Sequence, residues 1–359
     1  MTSSIERAAG RVLIVGFGGR AMPDELVRWA GEGALAGVIL FKRNLGSLAE
    51  NAATIDAIHR AWPEGDAPLV AIDQEGGRVA RLGAPLVKLP PMRALGELDD
   101  PALTRRAARV LGTQLRALGI GIDFAPVLDV DTNPANPVIG DRAFGRDADV
   151  VIRHSLAFAD GLADAGVVAC GKHFPGHGDT DLDSHLALPK IAHDRERLDR
   201  VELAPFRAAR GRVPTIMTAH VVFDALDRSV PATLSRRVIT GLLREELGYD
   251  GVIVSDDLEM KAVADHFGVA RAATGAIEAG CDALLVCATL ERIVEARDAL
   301  IARARQDEAF AARLVDAAAR VDRLPRVGPP AADVAVRIAE AGGDAIELEI
   351  AGARRSSGF

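Results

Sequence analysis

The chain has 359 residues, of which 49% are hydrophobic and 26% charged, and this composition excludes an intrinsically disordered protein. Acidic residues outnumber basic ones, 51 to 43, for a formal net charge of −8, which disfavours binding to nucleic acid or to an anionic membrane surface. The three cysteines, Cys170, Cys281 and Cys287, do not form the pattern of a disulfide framework. Because no apolar run reaches roughly 18 residues and no signal peptide is recognisable, we expect a cytoplasmic protein.

Short apolar runs alternate with longer amphipathic stretches along most of the chain. The apolar runs, rich in Val, Ile and Leu, span residues 11–17, 37–42, 69–73, 122–127, 168–174, 214–220, 251–257 and 283–287. Helical patterns lie between them, at 24–36, 48–62, 101–119, 149–166, 196–211, 234–248 and 268–280. Continuously apolar strands are typical of a parallel sheet that is covered on both faces.

This alternation predicts the fold class α/β, as a single (β/α)₈ barrel of the TIM type over residues 1–330. An open doubly wound sheet is the alternative, but no run carries the G-x-G-x-x-G turn that opens a nucleotide-binding helix. Residues 331–359 fall outside the barrel pattern. For them we expect a C-terminal extension with one helix and a partly disordered tail.

Polar residues follow the apolar runs at the predicted C-terminal ends of the strands. They are Asp73, Asp123, the pair Lys172 and His173, His220, and the pair Asp256 and Asp257. In a (β/α)₈ barrel these ends form the active-site face. Helix capping explains one or two such residues, whereas five strands ending this way indicate a site.

The segment 172–185, KHFPGHGDTDLDSH, concentrates three His and three Asp residues. One hypothesis is a divalent metal site, since both residue types are ligands. A second is acid/base chemistry, because Asp183 and His185 project to the same side of an extended stretch, and a carboxylate on one ring nitrogen tunes the other. The third is a loop held together by its own hydrogen bonds.

A general acid of this kind needs a carboxylate partner, and Asp256 and Asp257 at the end of the seventh run are the candidates for a nucleophile. With a strand period of two, we expect only one of them to face the barrel mouth. Both faces of this run are apolar, so the pattern does not choose between them.

At these residues the chain resembles glycoside hydrolase family 3, and within it the NagZ-type β-N-acetylglucosaminidases that recycle bacterial cell wall. The resemblance runs from about residue 11 to about residue 300. It is carried by KHFPGHGDTDLDSH (172–185), SDDLEM (255–260), DQEGGRVARL (73–82), DFAPVLDVDTNPANPVIGDRAFG (123–145) and TAHVVF (218–223).

The resemblance implies a role for each matching position. Asp256 is implied as the nucleophile and His185 as the acid/base, tuned by Asp183. The implied sugar-binding residues are Asp73, Arg81, Arg142, Lys172 and His173. Family members use no metal or other cofactor, so the resemblance demotes the metal hypothesis and leaves His177, Asp179 and Asp181 as residues that shape the loop.

The function implied is that of a retaining exo-β-N-acetylglucosaminidase. Its substrates would be GlcNAc–1,6-anhydroMurNAc muropeptides of peptidoglycan recycling, and we expect a cytoplasmic monomer. Three alternatives stay open: a phosphorylase on the same site, since a neutral His acid/base does not repel phosphate; a metal-dependent hydrolase built on the His/Asp loop; and an inactive barrel that only binds sugar.

Overall fold

The computed structural model describes residues 4–180 and 188–357. Within these residues eight parallel strands close into a barrel. They are β1 Leu13–Val15, β2 Gly37–Leu40, β3 Leu69–Ile72, β4 Ile122–Asp123, β5 Val168–Phe174, β6 Thr215–Thr218, β7 Val252–Asp257 and β8 Ala283–Val286. Each strand pairs with the next along the chain, and β8 pairs with β1, with Leu13 opposite Leu284. Every predicted apolar run contains one of these strands, so the barrel prediction is confirmed.

The strands are apolar on both faces because both faces are buried. Ile14, Ile39, Val254 and Leu285 belong to a core cluster inside the barrel. Their neighbours along the same strands, such as Leu13, belong to the larger core between the strands and the helices. This double burial gives near-continuous hydrophobic runs and removes the alternation that tells the inner face from the outer one.

Helices surround the barrel and connect successive strands. They are α1 Ser4–Arg11, α2 Asp24–Gly31, α3 Leu48–Ala61, α4 Met92–Leu98, α5 Pro101–Ala117, α6 Ala148–Asp164, α7 Arg195–Arg200, α8 Ala204–Ala209, α9 Lys261–Phe267, α10 Val269–Ala279, α11 Leu290–Gln306, α12 Glu308–Asp322, α13 Val334–Glu340 and α14 Gly343–Ser356. The segment Arg237–Glu246, between β6 and β7, is a π-helix. In the part of the chain that the structure describes, no helix is long and apolar enough to cross a membrane.

The C-terminal extension differs from the expectation of one helix and a partly disordered tail. It forms two helices, α13 and α14, that pack against α5, and α14 continues to Ser356. Ile346 and Ile350, four residues apart on one face of α14, are buried. Gln114 of α5 donates a side-chain hydrogen bond to the carbonyl of Ile338, 3.0 Å away. Within the described residues, the two helices dock on the barrel through a few well-spaced apolar residues, among them Ile338, Ile346 and Ile350.

Candidate active site

The residues to which the resemblance assigns a catalytic or sugar-binding role, as far as the structure describes them, line one cavity at the C-terminal ends of the strands. These residues are Asp73, Arg81, Arg142, Lys172, His173 and Asp256. The cavity has a volume of about 180 Å³, which is below the roughly 300–1,000 Å³ of pockets for drug-sized ligands. Its size and the charged side chains in its wall suit one small polar group, such as a single sugar ring.

Asp183 and His185 lie outside the described residues, as does Asp181. In residues 4–180 and 188–357, no group of three or more His, Cys, Asp and Glu side chains has the arrangement of a metal site.

A cluster of ion pairs forms one wall of the cavity. Lys172, buried inside β5, places Nζ 2.9 Å from Asp73 Oδ1 and 2.6 Å from Glu75 Oε1. Arg81 Nη2 lies 3.0 Å from Asp73 Oδ2. Arg142 donates two hydrogen bonds to Glu75, from Nε at 2.9 Å and from Nη2 at 2.7 Å. Bidentate and charge-assisted hydrogen bonds hold these side chains in a defined geometry before any ligand binds.

Glu75 is the member of this cluster that the sequence analysis missed. Its side chain is 1% exposed and joins Lys172 to Arg142. It was visible in the DQEGGRVARL segment, but nothing in that segment separates a buried ion-pair partner from a helix-capping or solvated Glu. Its partners lie 67 and 97 positions away along the chain.

The cluster keeps its members charged in spite of their burial. Burial by itself favours the neutral acid, but Lys172 and Arg81 hold the pKa of Asp73 below its ordinary value. Arg142 and Lys172 likewise hold the pKa of Glu75 far below its ordinary value against the effect of burial. Burial favours the neutral amine of Lys172, and Asp73 and Glu75 raise its pKa above the ordinary value. The cavity therefore presents fixed charges over the whole neutral pH range.

The loop that carries Arg81 is positioned by Gln74. Residues Gln74–Gly76 and Val79–Ala80 form a short antiparallel hairpin after β3. The side-chain oxygen of Gln74 accepts hydrogen bonds from the backbone N–H groups of Arg81, at 2.8 Å, and Leu82, at 3.0 Å. The backbone N–H of Gln74 in turn donates to Asp123 Oδ1 over 2.9 Å. Asp123 at the end of β4 thus supports the loop without lining the cavity.

Asp123 is completely buried. Among the described residues no donor reaches its second oxygen, Oδ2. Burial raises the pKa of Asp123 to about 8, against the lowering effects of the Gln74 N–H and of Lys172. At neutral pH this carboxyl group is therefore protonated.

Asp129, which follows β4, holds the segment after β5 in place. Its carboxylate accepts hydrogen bonds from the backbone N–H groups of His173 and His177, and Oδ2 lies 2.7 Å from His173 Nδ1. His177 also lines the cavity, and its Nδ1 lies 2.8 Å from Thr180 Oγ1. These contacts order the first half of the 172–185 segment.

Two glycines in this segment are required by close packing. Gly176 adopts a φ of 135°, which an L side chain rarely adopts. A Cβ atom on Gly178 would lie 1.8 Å from the carbonyl oxygen of Val130. The backbone conformation at position 176 and the close contact with Val130 at position 178 therefore both call for glycine.

Asp256 and Asp257 both border the cavity. The expectation that only one would do so assumed a regular strand, but the pairing of β7 with β8 shifts register between Val254 and Asp257. The two carboxyl groups differ in their contacts. Asp257 Oδ1 accepts from the backbone N–H groups of Glu259, at 3.0 Å, and Cys287, at 3.2 Å, so this side chain ties β7 to β8. Asp256 Oδ1 accepts from the N–H of Asp257 at 2.8 Å.

His220 supports β7 from outside the cavity lining. It is completely buried, with Nδ1 2.8 Å from Thr233 Oγ1 and Nε2 3.0 Å from the carbonyl oxygen of Asp257. Since a carbonyl can only accept, Nε2 donates this hydrogen bond. His220 is a core histidine that fixes the end of the strand carrying Asp256.

Comparisons with known proteins agree with this architecture. A model of the glycosyl hydrolase family 3 N-terminal domain matches residues 5–324. A β-hexosaminidase from Alkalilimnicola ehrlichii is 42% identical over 284 residues, which cover 77% of this chain and 80% of the relative.

Two solved structures are also similar. A glycoside hydrolase family 3 β-N-acetylglucosaminidase from Paenibacillus sp. superposes with a TM-score of 0.84 at 42% identity, covering 95% of this chain and 68% of that one. Native NagZ from Neisseria gonorrhoeae superposes with a TM-score of 0.81 at 33% identity, covering 96% and 97%.

Proposed function

This chain belongs to glycosyl hydrolase family 3 and is a glycoside hydrolase of the β-hexosaminidase type, and from that premise we propose that it removes a terminal N-acetylglucosamine with retention of configuration. The observation that carries the proposal is the shared cavity: Asp256 borders the same small space as the ion-pair cluster of Asp73, Lys172 and Arg81. A nucleophile and a polar grip on one sugar ring are what an exo-acting enzyme needs.

In the proposed reaction Asp256 attacks the anomeric carbon and forms a glycosyl-aspartate ester. His185, protonated, donates its proton to the departing oxygen. In the second step the neutral imidazole removes a proton from water, which then attacks the ester and releases the sugar. Asp183 favours the imidazolium form and holds the ring in one tautomer.

The sugar hydroxyls are the proposed partners of Asp73, Arg81, Arg142, Lys172 and His173. Asp73 offers acceptor oxygens, while the two guanidinium groups and the ammonium group offer donors. The described lining of the cavity holds two aromatic residues, Phe41 and Phe124. Binding of one ring by charge-assisted hydrogen bonds fits this lining better than the stacking platforms of a polysaccharide cleft.

The finer substrate assignment is a GlcNAc–1,6-anhydroMurNAc muropeptide of peptidoglycan recycling, cleaved in the cytoplasm by a monomer. It is supported by the resemblance of the 172–185 segment to NagZ-type enzymes and by the similarity to NagZ from Neisseria gonorrhoeae over nearly the whole of both chains. Release of GlcNAc from such muropeptides, measured against other β-N-acetylglucosaminides, tests it.

Covalent trapping tests the mechanism. A 2-fluoro or 5-fluoro analogue of the sugar slows the second step, so peptide mass mapping should find the label on Asp256 within SDDLEM. Asp256→Asn should lower the rate on a chromogenic β-N-acetylglucosaminide by roughly 10⁴-fold or more. Asp257→Asn is the matched control; its amide oxygen keeps the role of backbone acceptor, and we expect less than a tenfold loss.

A label on any other residue would contradict the mechanism. Formation of a sugar 1-phosphate when phosphate replaces water as acceptor would identify a phosphorylase instead. Loss of activity on chelation would support the metal-dependent alternative.

A further inference from the structure

Asp129 and His173 form a carboxylate–imidazole pair in the wall of the cavity. His173 Nδ1 lies 2.7 Å from Asp129 Oδ2, and Asp129 is completely buried. The two residues come from neighbouring strand ends, where Val127 and Lys172 also form a parallel bridge. His173 lines the cavity whereas Asp129 does not, so Asp129 can act on a ligand only through a residue that it contacts, such as His173.

Three nitrogen atoms lie within hydrogen-bond distance of the carboxyl group of Asp129. Besides the ring Nδ1 of His173, the backbone N–H of His173 lies 3.2 and 3.3 Å from its two oxygens, and that of His177 lies 2.7 Å from Oδ1. An ionised carboxylate only accepts, so each of the three nitrogens can hydrogen-bond to it only as a donor. Burial raises the pKa of Asp129 to about 6 against the opposing effect of His177, and the group is therefore ionised above that pH.

The imidazole of His173 is neutral in the same pH range. Burial and the positive charges of Arg142 and Lys172 lower the pKa of His173 to about 3, although Asp256 and Glu75 oppose the shift. His177 packs edge-on against the ring, with 5.9 Å between the centroids. A neutral imidazole carries its one proton on either Nδ1 or Nε2, so the neighbours of the two nitrogens decide which.

We propose that Asp129 is a positioning residue that keeps the proton of His173 on Nδ1, so that Nε2 accepts a hydrogen bond from an O–H or N–H of the bound sugar. The nitrogen–oxygen distance of 2.7 Å to a group that can only accept requires a proton on Nδ1. The identity of the occupant as a sugar rests on the proposed function, but the tautomer does not.

An accepting Nε2 on His173 complements the cations in the same wall of the cavity. Lys172 and Arg142 can only donate hydrogen bonds, and a sugar hydroxyl has one proton to give and lone pairs to receive. A hydroxyl that accepts from one of these cations satisfies its own proton by donating it to Nε2. With the opposite tautomer the hydroxyl would meet donors on both sides, and its proton would lose this acceptor.

Nitrogen-15 NMR of the protein labelled at histidine tests the tautomer without reference to activity. At pH 7.5 the ring of His173, assigned by its loss in His173→Asn, should show a protonated Nδ1 and an unprotonated Nε2. In Asp129→Asn the amide oxygen is needed by the backbone N–H groups of His173 and His177, so the amide NH₂ faces Nδ1 and should shift the proton towards Nε2. A proton on Nε2 in the wild type, or an unchanged tautomer in Asp129→Asn, would overturn the proposal.

The chain offers a matched control on the outer surface of the barrel. His154 is also buried, with Nε2 3.3 Å from the exposed carboxylate of Asp99. Asp99→Asn removes a carboxylate from a buried histidine outside the cavity, although Asp99 itself is exposed. It should leave the His173 signals and sugar binding unchanged.

Binding of modified sugars tests the direction of the hydrogen bond. We would titrate the wild type with N-acetylglucosamine analogues in which each hydroxyl is replaced in turn by hydrogen or by fluorine. Fluorine accepts but cannot donate, so at the position that contacts Nε2 both replacements should weaken binding to a similar extent, by about 10- to 100-fold. In His173→Asn that position should lose most of its sensitivity.

If fluorine recovers the affinity that hydrogen loses at the His173-sensitive position, Nε2 donates and the proposal fails. If no N-acetylglucosamine analogue binds at all, the proposed function fails while the NMR result still decides the tautomer. The wild-type spectra and titrations remain decisive even where Asp129→Asn does not fold.

Discussion

Each end of the barrel contains a cluster in which a buried carboxylate is paired with basic side chains. The cluster at the C-terminal ends of the strands lines the cavity of the candidate active site. At the N-terminal end of β8, Asp282 is completely buried; it pairs with Arg244 and accepts from Arg313 over 2.8 Å and from the backbone N–H of Ile253 over 2.9 Å. Arg313 also donates to the carbonyl of Gly280. These donors and acceptors are directed at other parts of the protein.

At the opposite end, the side chains of the second cluster hold one another in place, and one side of the cluster faces the cavity. Its members are Asp73, Glu75, Lys172, Arg81 and Arg142. The comparison shows that buried ion pairs do not by themselves mark an active site. Both clusters cost desolvation energy, and the cluster at the C-terminal ends of the strands is the one that lines the cavity of the candidate active site. We therefore expect the N-terminal cluster to act on stability and the C-terminal cluster to act on the reaction.

One substitution in each cluster tests whether the first acts on stability and the second on the reaction, and the largest effect is expected at Asp282. Asp282→Asn leaves two arginines without their buried counter-charge and should lower the free energy of unfolding by about 3–5 kcal/mol. The folded fraction should keep its kcat/KM. Urea unfolding and initial rates on a chromogenic β-N-acetylglucosaminide measure the two quantities.

Arg81→Met should give the converse result. Asp73 keeps Lys172 as partner, so stability should change by less than about 1 kcal/mol, while loss of a charged donor to the sugar should lower kcat/KM by about 10- to 100-fold. A stability loss without a rate loss in Arg81→Met would break the comparison.

Asp183→Ala sharpens the comparison for a residue that we propose to act on proton transfer. Without the carboxylate, His185 loses its orientation and its preference for the imidazolium form, so kcat should fall by about 10²-fold. KM should change by only a few fold, and the midpoint of thermal unfolding should not move. A rise in KM with unchanged kcat would instead assign Asp183 to substrate binding.

The effect expected at Asp123 is the smallest when it is counted per pH unit, and it lies in the pH dependence of stability. Burial raises its pKa to about 8, whereas an unfolded chain releases this proton near pH 4. Between these values the native protein holds a proton that the unfolded chain lacks, so this group makes stability fall as the pH rises. Asp123→Asn removes that contribution.

Urea unfolding between pH 5 and pH 9 measures the contribution of Asp123 to the pH dependence of stability. The stability of Asp123→Asn relative to the wild type should rise by up to about 1.4 kcal/mol per pH unit to about pH 8 and then level off. Asp344→Asn, on the exposed face of α14, is the control for loss of one surface charge. A relative stability that does not depend on pH would mean that Asp123 is ionised in the native protein.

Much of the fold could be predicted because parallel strands buried on both faces are recognisable as local apolar runs. Because both faces of these strands are apolar, the sequence did not show on which face Asp256 lies. The register shift in β7 then allowed Asp257 to border the cavity as well. The C-terminal extension has two helices where one was expected, and the docking of α14 through Ile346 and Ile350 was not predicted. Their hydrophobic partners lie far away along the chain.

The amino-acid sequence by itself determined the strand–helix alternation, the polar residues at the strand ends and the segments that resemble family 3. Only the tertiary structure decided that Glu75 joins Lys172 to Arg142 and that Asp129 pairs with His173. Glu75 and Arg142 are 67 residues apart in the sequence, and Asp129 and His173 are 44 residues apart. The physical reason is that local patterns report which backbone conformation a segment adopts and which face is apolar. The partner of a buried charge is chosen only when the closed barrel brings strand ends together and excludes the water that would otherwise solvate it.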